Sequence, residues 1–362
     1  MEALSSFFVI LAVGSLLLQG FILIFNPLGV NKRANTFFGA FLIFWATFWT
    51  DELFQLLDIL DRPDGLIVGI RTCQLLVPWL FYASVSTYTN PHKTLSKNDI
   101  LHFLLPGLVS ILLLLQKTVL QKLNGDLIFT ISILFLALFY TTRSFLLIKK
   151  HEKKVEFFKS SLENNDLGWI KKIILALIGI SIFILAYNIL FPQQELNVFA
   201  NAFSLSIIFY VSYHALAQKE IYNLSKEQIE SVIKVNESSN QRTELLSSAD
   251  LISLKASLSG LMEKEKPYLD NELSLTKLAE ALNITPHQLS FLLNEGFGQN
   301  FYQYVNSFRV DAAKAMLLNP EFAHLSILGL AFEAGFNSKS SFNTVFKQHT
   351  GLTPTAYKRS QG

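Results

Sequence analysis

The sequence predicts an all-α protein: a seven-span transmembrane helical bundle followed by a tandem helix-turn-helix domain. Three observations carry that prediction. Long apolar runs fill the first 217 residues. Lysine and arginine concentrate in alternate loops between those runs. One helix-turn-helix pattern occurs twice in the last hundred residues.

Composition agrees with the first observation. The chain has 362 residues, and charged residues make up 16% of it, against about 25% for an average soluble domain. Mean hydropathy is +0.35, and aromatics reach 13%. The single cysteine, Cys73, rules out an internal disulfide or a cysteine-based zinc site as the organiser of the fold. The first apolar run has no basic segment before it and Lys32-Arg33 after it, so it reads as a retained helix and not a cleaved leader.

A helix needs about 20 apolar residues to cross a bilayer. Seven runs qualify: Phe7–Phe25, Thr36–Leu57, Leu66–Tyr88, Ile100–Leu115, Leu127–Ile148, Trp169–Leu190 and Leu196–Leu216. The loops after spans one, three and five hold Lys32, Arg33, Lys93, Lys97, Lys149, Lys150, Lys153, Lys154 and Lys159. Those after spans two, four and six hold only Arg62, Lys117 and Lys122. Nine cations against three put the N-terminus outside and the C-terminus in the cytoplasm, because the richer loops stay inside. The expected location is a cell membrane, with lipid around the bundle.

Ionisable groups at membrane depth are costly and mark candidate functional positions. Asp51 and Glu52 in span two and Arg71 in span three fall at similar outer depth, so Arg71 is expected to pair with one of the two carboxylates. Gln74, Tyr187, Asn188 and Asn201 also fall in outer halves of their spans. Together these seven form either a polar pocket for an unknown small-molecule or membrane stimulus, or a buried ion pair that fixes helix packing. Pro78 is expected to kink span three.

Residues 218–251 form a polar linker. Ile221, Leu224, Ile229, Val232 and Ile233 give it a loose helical stripe, which either extends the last span or pairs with a second chain in a homodimer. The runs Ser238-Ser239-Asn240-Gln241-Arg242 and Ser247-Ser248 read as a joint.

Residues 252–362 carry the repeated pattern. In the first copy Ser274 is an N-cap, and Leu275, Leu278, Ala279 and Leu282 line one helical face. Asn283-Ile284 makes the turn. Thr285 and Pro286 then open a second helix with Leu289, Leu292 and Leu293 inward. In the second copy Ser326, Ile327, Leu330, Ala331 and Ala334 repeat the stripe, and Gly335-Phe336-Asn337 is the turn. Ser338 caps a helix whose inner face is Phe342, Val345 and Phe346. A longer helix from Tyr302 to Leu318 joins the copies. Two helices with a short turn make a helix-turn-helix, and two matched copies are far more specific than one.

These residues resemble the AraC/XylS family of bacterial transcriptional regulators. The resemblance runs through Leu278-Ala279, Phe301-Tyr302-Gln303-Tyr304-Val305, Arg309 with Ala312, and Ala331 with Gly335-Phe336. It continues through Ser341-Phe342, Phe346-Lys347, Gly351-Leu352-Thr353-Pro354 and Tyr357-Lys358-Arg359. With a multi-span bundle in front, the chain looks like the family's membrane-bound branch. The resemblance implies double-stranded DNA as partner, with the second helix of each unit in successive major-groove segments. Carried over by position, the reading residues are His287, Gln288, Ser290 and Phe291 in the first unit, and Lys339, Ser340, Asn343 and Thr344 in the second. Gln and Asn suit adenine, Lys suits guanine, and Thr or Phe suits a thymine methyl; Phe291 either makes that contact or packs, and His287 either reads DNA or lies on the surface. Lys347 adds positive charge, and Arg309 either contacts phosphate or braces the two units.

From residue 253 onward ten cations face nine acids, but Gly335–Gly362 holds Lys339, Lys347, Lys358 and Arg359 with no acid. The second unit is therefore expected to supply most of the electrostatic grip. No Gly-rich phosphate loop, H-E-x-x-H or G-x-S-x-G occurs, so no enzyme, metal or cofactor is expected. The alternative is a transporter or membrane enzyme fused to a DNA-binding domain, which would need an inverted repeat or paired intramembrane carboxylates.

Overall fold

The computed structural model describes residues 2–27, 29–91, 93, 97–116, 119, 124–160, 167–176, 178–179, 197–218, 226–237 and 246–361. The described residues are helical throughout apart from turns and one isolated β-bridge, Lys159 to Ser274. The chain divides into two compact units. One comprises Met1–Lys150 with Leu167–Lys219, and the other His151–Asp166 with Glu220–Gly362.

In the first unit the helices are α1 (Glu2–Phe25), α2 (Lys32–Trp45), α3 (Thr50–Leu56), α4 (Asp64–Thr89), α5 (Leu104–Gln116), α6 (Gly125–Val155) and α7 (Asn197–Ala217). Six stretches among the described residues are long and apolar enough to cross a membrane. They correspond to expected spans one to five and seven. The expected sixth span is helical at 168–176, but its second half, with Tyr187 and Asn188, lies outside the described residues. Helix α2 packs against both α1 and α4. At the α1–α2 crossing a Cβ on Gly39 would lie 2.6 Å from the Gly20 carbonyl oxygen, so only glycine allows this close approach. Large apolar side chains such as Leu18, Leu134 and Leu138 remain more than 60% exposed.

Span two is not one continuous α-helix. A 3-10 turn, Ala46–Trp49, separates α2 from α3. Gln74 Nε2 donates to the Thr47 carbonyl in that turn at 2.9 Å, and Trp49 Nε1 donates to Asn201 Oδ1 at the same distance. Gln74 and Asn201 are thus tied into helix packing. The expected pairing of Arg71 with Asp51 or Glu52 is not what the fold makes. Arg71 Nη2 lies 2.6 Å from Asp126 Oδ1 at the start of α6, and Asp51 pairs with Arg62 Nη1 at 2.8 Å. The reason is reach: Asp51 precedes a loop that brings Arg62 back to it, while α6 delivers a carboxylate directly to Arg71.

The second unit holds α8 (Lys226–Glu237), α9 (Ser248–Lys264), α10 (Leu275–Ala281), α11 (Pro286–Phe291), α12 (Phe301–Leu318), α13 (Ile327–Glu333), α14 (Lys339–Thr350) and α15 (Pro354–Gln361). It has two apolar clusters. Leu278, Leu289, Leu292, Leu293, Tyr304 and Val305 centre the first, and Leu330, Ala331, Phe336, Phe342, Val345 and Phe346 the second. Helix α12 contributes to both, so it joins the two helix-turn-helix pairs as a shared wall.

Candidate nucleic-acid interface

Each helix of the two helix-turn-helix units begins at a cap that the sequence supplies. Ser274, Ser326 and Ser338 accept the backbone N–H three residues on, from Lys277, Gly329 and Ser341. Thr285 and Gln288 form a reciprocal capping box at α11, and Asn300 with Gln303 forms another at α12. Such caps satisfy amides that the first turn leaves without partners.

The turns differ in kind. Asn283 takes the left-handed conformation in the first, with φ 55°, and Gly335 takes it in the second, with φ 87°. Gly335 is also required by space, because a Cβ there would collide with the Tyr268 carbonyl oxygen.

Arg309 explains that crowding. Its side chain is fully buried, and every N–H has an acceptor. Nε donates to Tyr268 O at 2.7 Å. Nη1 donates to Ser160 O and Asn306 Oδ1, and Nη2 to Ser160 Oγ and Asp270 O. The guanidinium also lies 5.9 Å from the Phe336 ring centre. Burial pulls its pKa down to about 10, which still leaves it charged at neutral pH. Arg309 therefore cannot contact phosphate: it braces the two units from inside.

The residues it holds include a segment that the sequence places in the loop after span five. Leu275 N donates to Phe158 O, Ser160 N to Leu273 O and Tyr302 N to Glu156 O. Phe158 is buried in the first cluster with Phe157 packed beside it. Two adjacent phenylalanines in an otherwise charged loop were the available signal.

The two reading helices present themselves differently. On α14, Lys339, Ser340, Thr344 and Lys347 are exposed and Asn343 is half-buried. With Ile327, Thr353 and Thr355, four of these line a cleft of about 420 Å³ that contains no carboxylate. On α11, His287, Gln288 and Phe291 are all half-buried, and Ser290 is only 3% exposed. Ser290 is therefore not an outward residue in this structure. Its Oγ accepts from Asn236 Nδ2 of α8 at 2.7 Å, and Asn294 Nδ2 donates to Asn236 Oδ1 at 3.1 Å. Val232 of α8 is fully buried against the same core. Gln288 is diverted as well: its Oε1 accepts from the backbone N–H of Thr285 at 2.9 Å and from the Thr285 hydroxyl at 3.1 Å. A glutamine so engaged lacks the free acceptor that bidentate recognition of adenine needs. Burial lowers the His287 pKa, which disfavours its charged form.

Two capped helix-turn-helix units on one connecting helix define a tandem helix-turn-helix module of the AraC type. Residues 278–360 match the family described as a helix-turn-helix domain, and that part of the chain is an AraC-type DNA-binding domain. The chain is 34% identical over 99 residues to the transcriptional activator RhrA of Rhizobium meliloti (strain 1021), a match covering 27% of this chain and 31% of that protein. It is 35% identical over 85 residues to the uncharacterized transcriptional regulatory protein YesN of Bacillus subtilis (strain 168), covering 23% of this chain and 22% of the relative. These matches span less than a third of either relative. Among solved structures, the C-terminal domain of the two-component response regulator yesN from Fusobacterium nucleatum is similar at 28% identity, over 29% of this chain and 98% of that one, with a TM-score of 0.27.

Proposed function

We propose that this protein is a membrane-tethered, one-component transcription regulator that binds double-stranded DNA through its two helix-turn-helix units, and that it is not an enzyme. The observation that carries the reading is the open, acid-free cleft of the second unit, where Lys339 and Lys347 flank Asn343 and Thr344. Lys339 and Asn343 are the base-reading residues, and Lys347 contacts phosphate. The six membrane-length helices and the excess of cations in alternate loops support an inner-membrane location, with the DNA-binding domain in the cytoplasm. The bundle's role is to sense a stimulus in or near the membrane.

Chromatin immunoprecipitation of the full-length protein tests this. Enrichment of a defined promoter, abolished in the Lys339→Ala/Asn343→Ala variant at equal protein level, is the expected result. No enrichment by the unmodified protein would contradict the regulator reading.

A further inference from the structure

The first unit contains a cavity of about 540 Å³ at the start of α2, away from Asp51, Glu52 and Arg71. Lys32, Arg33 and Lys93 supply cations to it, and Phe37, Trp79 and Tyr82 supply aromatic surface. One carboxylate, Asp99, also reaches the lining; it lies 3.7 Å from His102 Nε2. Two of the cations are held in place. Arg33 Nη1 donates to the Lys93 carbonyl at 3.1 Å, and Lys93 Nζ donates to Ser86 Oγ at 2.7 Å while lying 5.6 Å from the Tyr82 ring centre. Each keeps further N–H groups for a ligand. Helix α2 begins at the same place, and Asn31 before it is left-handed and provides no side-chain cap. Its first amides therefore add to the positive end of the cavity. Phe37 and Trp79 meet edge to face at 6.1 Å and form an apolar wall.

We propose that this cavity binds an anionic amphiphile: a phosphate group on Lys32, Arg33 and the α2 N-terminus, and an apolar chain against Phe37 and Trp79. A free anion would leave the aromatic wall unused, and a neutral lipid would leave three cations facing a single carboxylate. The proposal rests on the reading of the first unit as a membrane bundle, and makes this cavity its ligand site.

Native mass spectrometry of the full-length protein in detergent, with dioleoyl phosphatidylglycerol, dioleoyl phosphatidylcholine or inorganic phosphate added, tests it. One phosphatidylglycerol should be retained at least tenfold more tightly than phosphatidylcholine. The Lys32→Gln/Arg33→Gln variant should lose that preference at an unchanged melting temperature, and Lys93→Arg should keep it. Equal retention of the two lipids, a preference untouched by the double substitution, or full displacement by inorganic phosphate would each overturn it. Alkaline carbonate extraction tests the membrane reading separately: release of the chain from membranes would sink that reading, whatever the lipid result.

A second inference rests on independent residues. The face of α11 that the tandem module would turn to DNA is the face on which α8 lies, through Asn236 to Ser290 and Asn294 and through Val232. The equivalent face of α14 is open. The geometry points to an autoinhibitory contact, in which the linker helix holds the first unit off DNA until it is displaced. Full-length protein carrying Cys73→Ser, Asn236→Cys and Asn294→Cys tests this on the enriched promoter. Oxidation should lower DNA affinity at least fivefold, and reductant should restore it. Val232→Glu should lengthen the protected DNA by about one helical turn. Equal affinity of the oxidised and reduced forms, or a shortened footprint in Val232→Glu at normal protein level, would overturn the contact. Failure of the reduced form to bind any DNA would instead count against the regulator reading.

Discussion

The two helix-turn-helix units share one plan and differ in what surrounds them. In the second, nothing among the described residues lies over Lys339, Ser340, Thr344 and Lys347, and no acid occurs from Gly335 to the end. In the first, Ser290 is buried under the linker helix and Gln288 closes its own capping box. Equal sequence patterns therefore do not give equal access. A pattern of caps and apolar positions specifies the helix pair; how much of the pair is exposed is decided by chain segments far outside the pattern. The brace between the units, Arg309, depends on such a segment, since Ser160 supplies two of its acceptors.

Four experiments probe how far the two units differ. The largest effect is expected at the shared brace. Arg309→Leu leaves the carbonyls of Tyr268, Ser160 and Asp270 without their donor, and each buried acceptor left unmet costs about 1–3 kcal/mol. Thermal unfolding followed by circular dichroism should show the second unit melting well below the unmodified protein. A change in DNA affinity at unchanged stability would mean that Arg309 touches phosphate after all. Next come the reading side chains themselves. Lys339→Ala with Asn343→Ala should lower promoter affinity by about 1–3 kcal/mol for each base that is no longer read, measured by fluorescence anisotropy. Gly335→Ala should cost about 1–3 kcal/mol of stability in a chemical denaturation series, because it combines a left-handed backbone with the collision at Tyr268. The smallest effect separates the two units most cleanly. Lys347→Ala should reduce the slope of log affinity against log salt by about 1, while Gln288→Ala should leave that slope unchanged and remove a cap worth about 1 kcal/mol.

Much of this was legible in the sequence, for reasons that are local. Ser274, Thr285, Ser326 and Ser338 cap because their side chains meet amides three residues away. The inward stripes of α10 to α14 follow from helical period alone. What escaped was non-local. Arg71 finds Asp126, 55 positions on, because the order in which helices pack is not written into any one span. Ser290 is buried by Asn236, 54 positions earlier; the Ile229, Val232 and Ile233 stripe announced an apolar partner without naming it. Gln288 was legible in another sense, since Thr285 followed by a glutamine three residues on is a capping-box pattern that competes with the base-reading role. The loop segment Glu156–Ser160 was hidden by its lysine-rich surroundings.

If the second unit carries most of the recognition, DNA protection should depend on α14 and be indifferent to α11. Hydroxyl-radical footprinting of the full-length protein on the promoter it enriches reads that dependence. Protection should centre on one major-groove segment, vanish in Lys339→Ala/Asn343→Ala and persist in Gln288→Ala. Protection that survives the double substitution, or that disappears with Gln288→Ala in a folded protein, would refute the unequal roles of the two units.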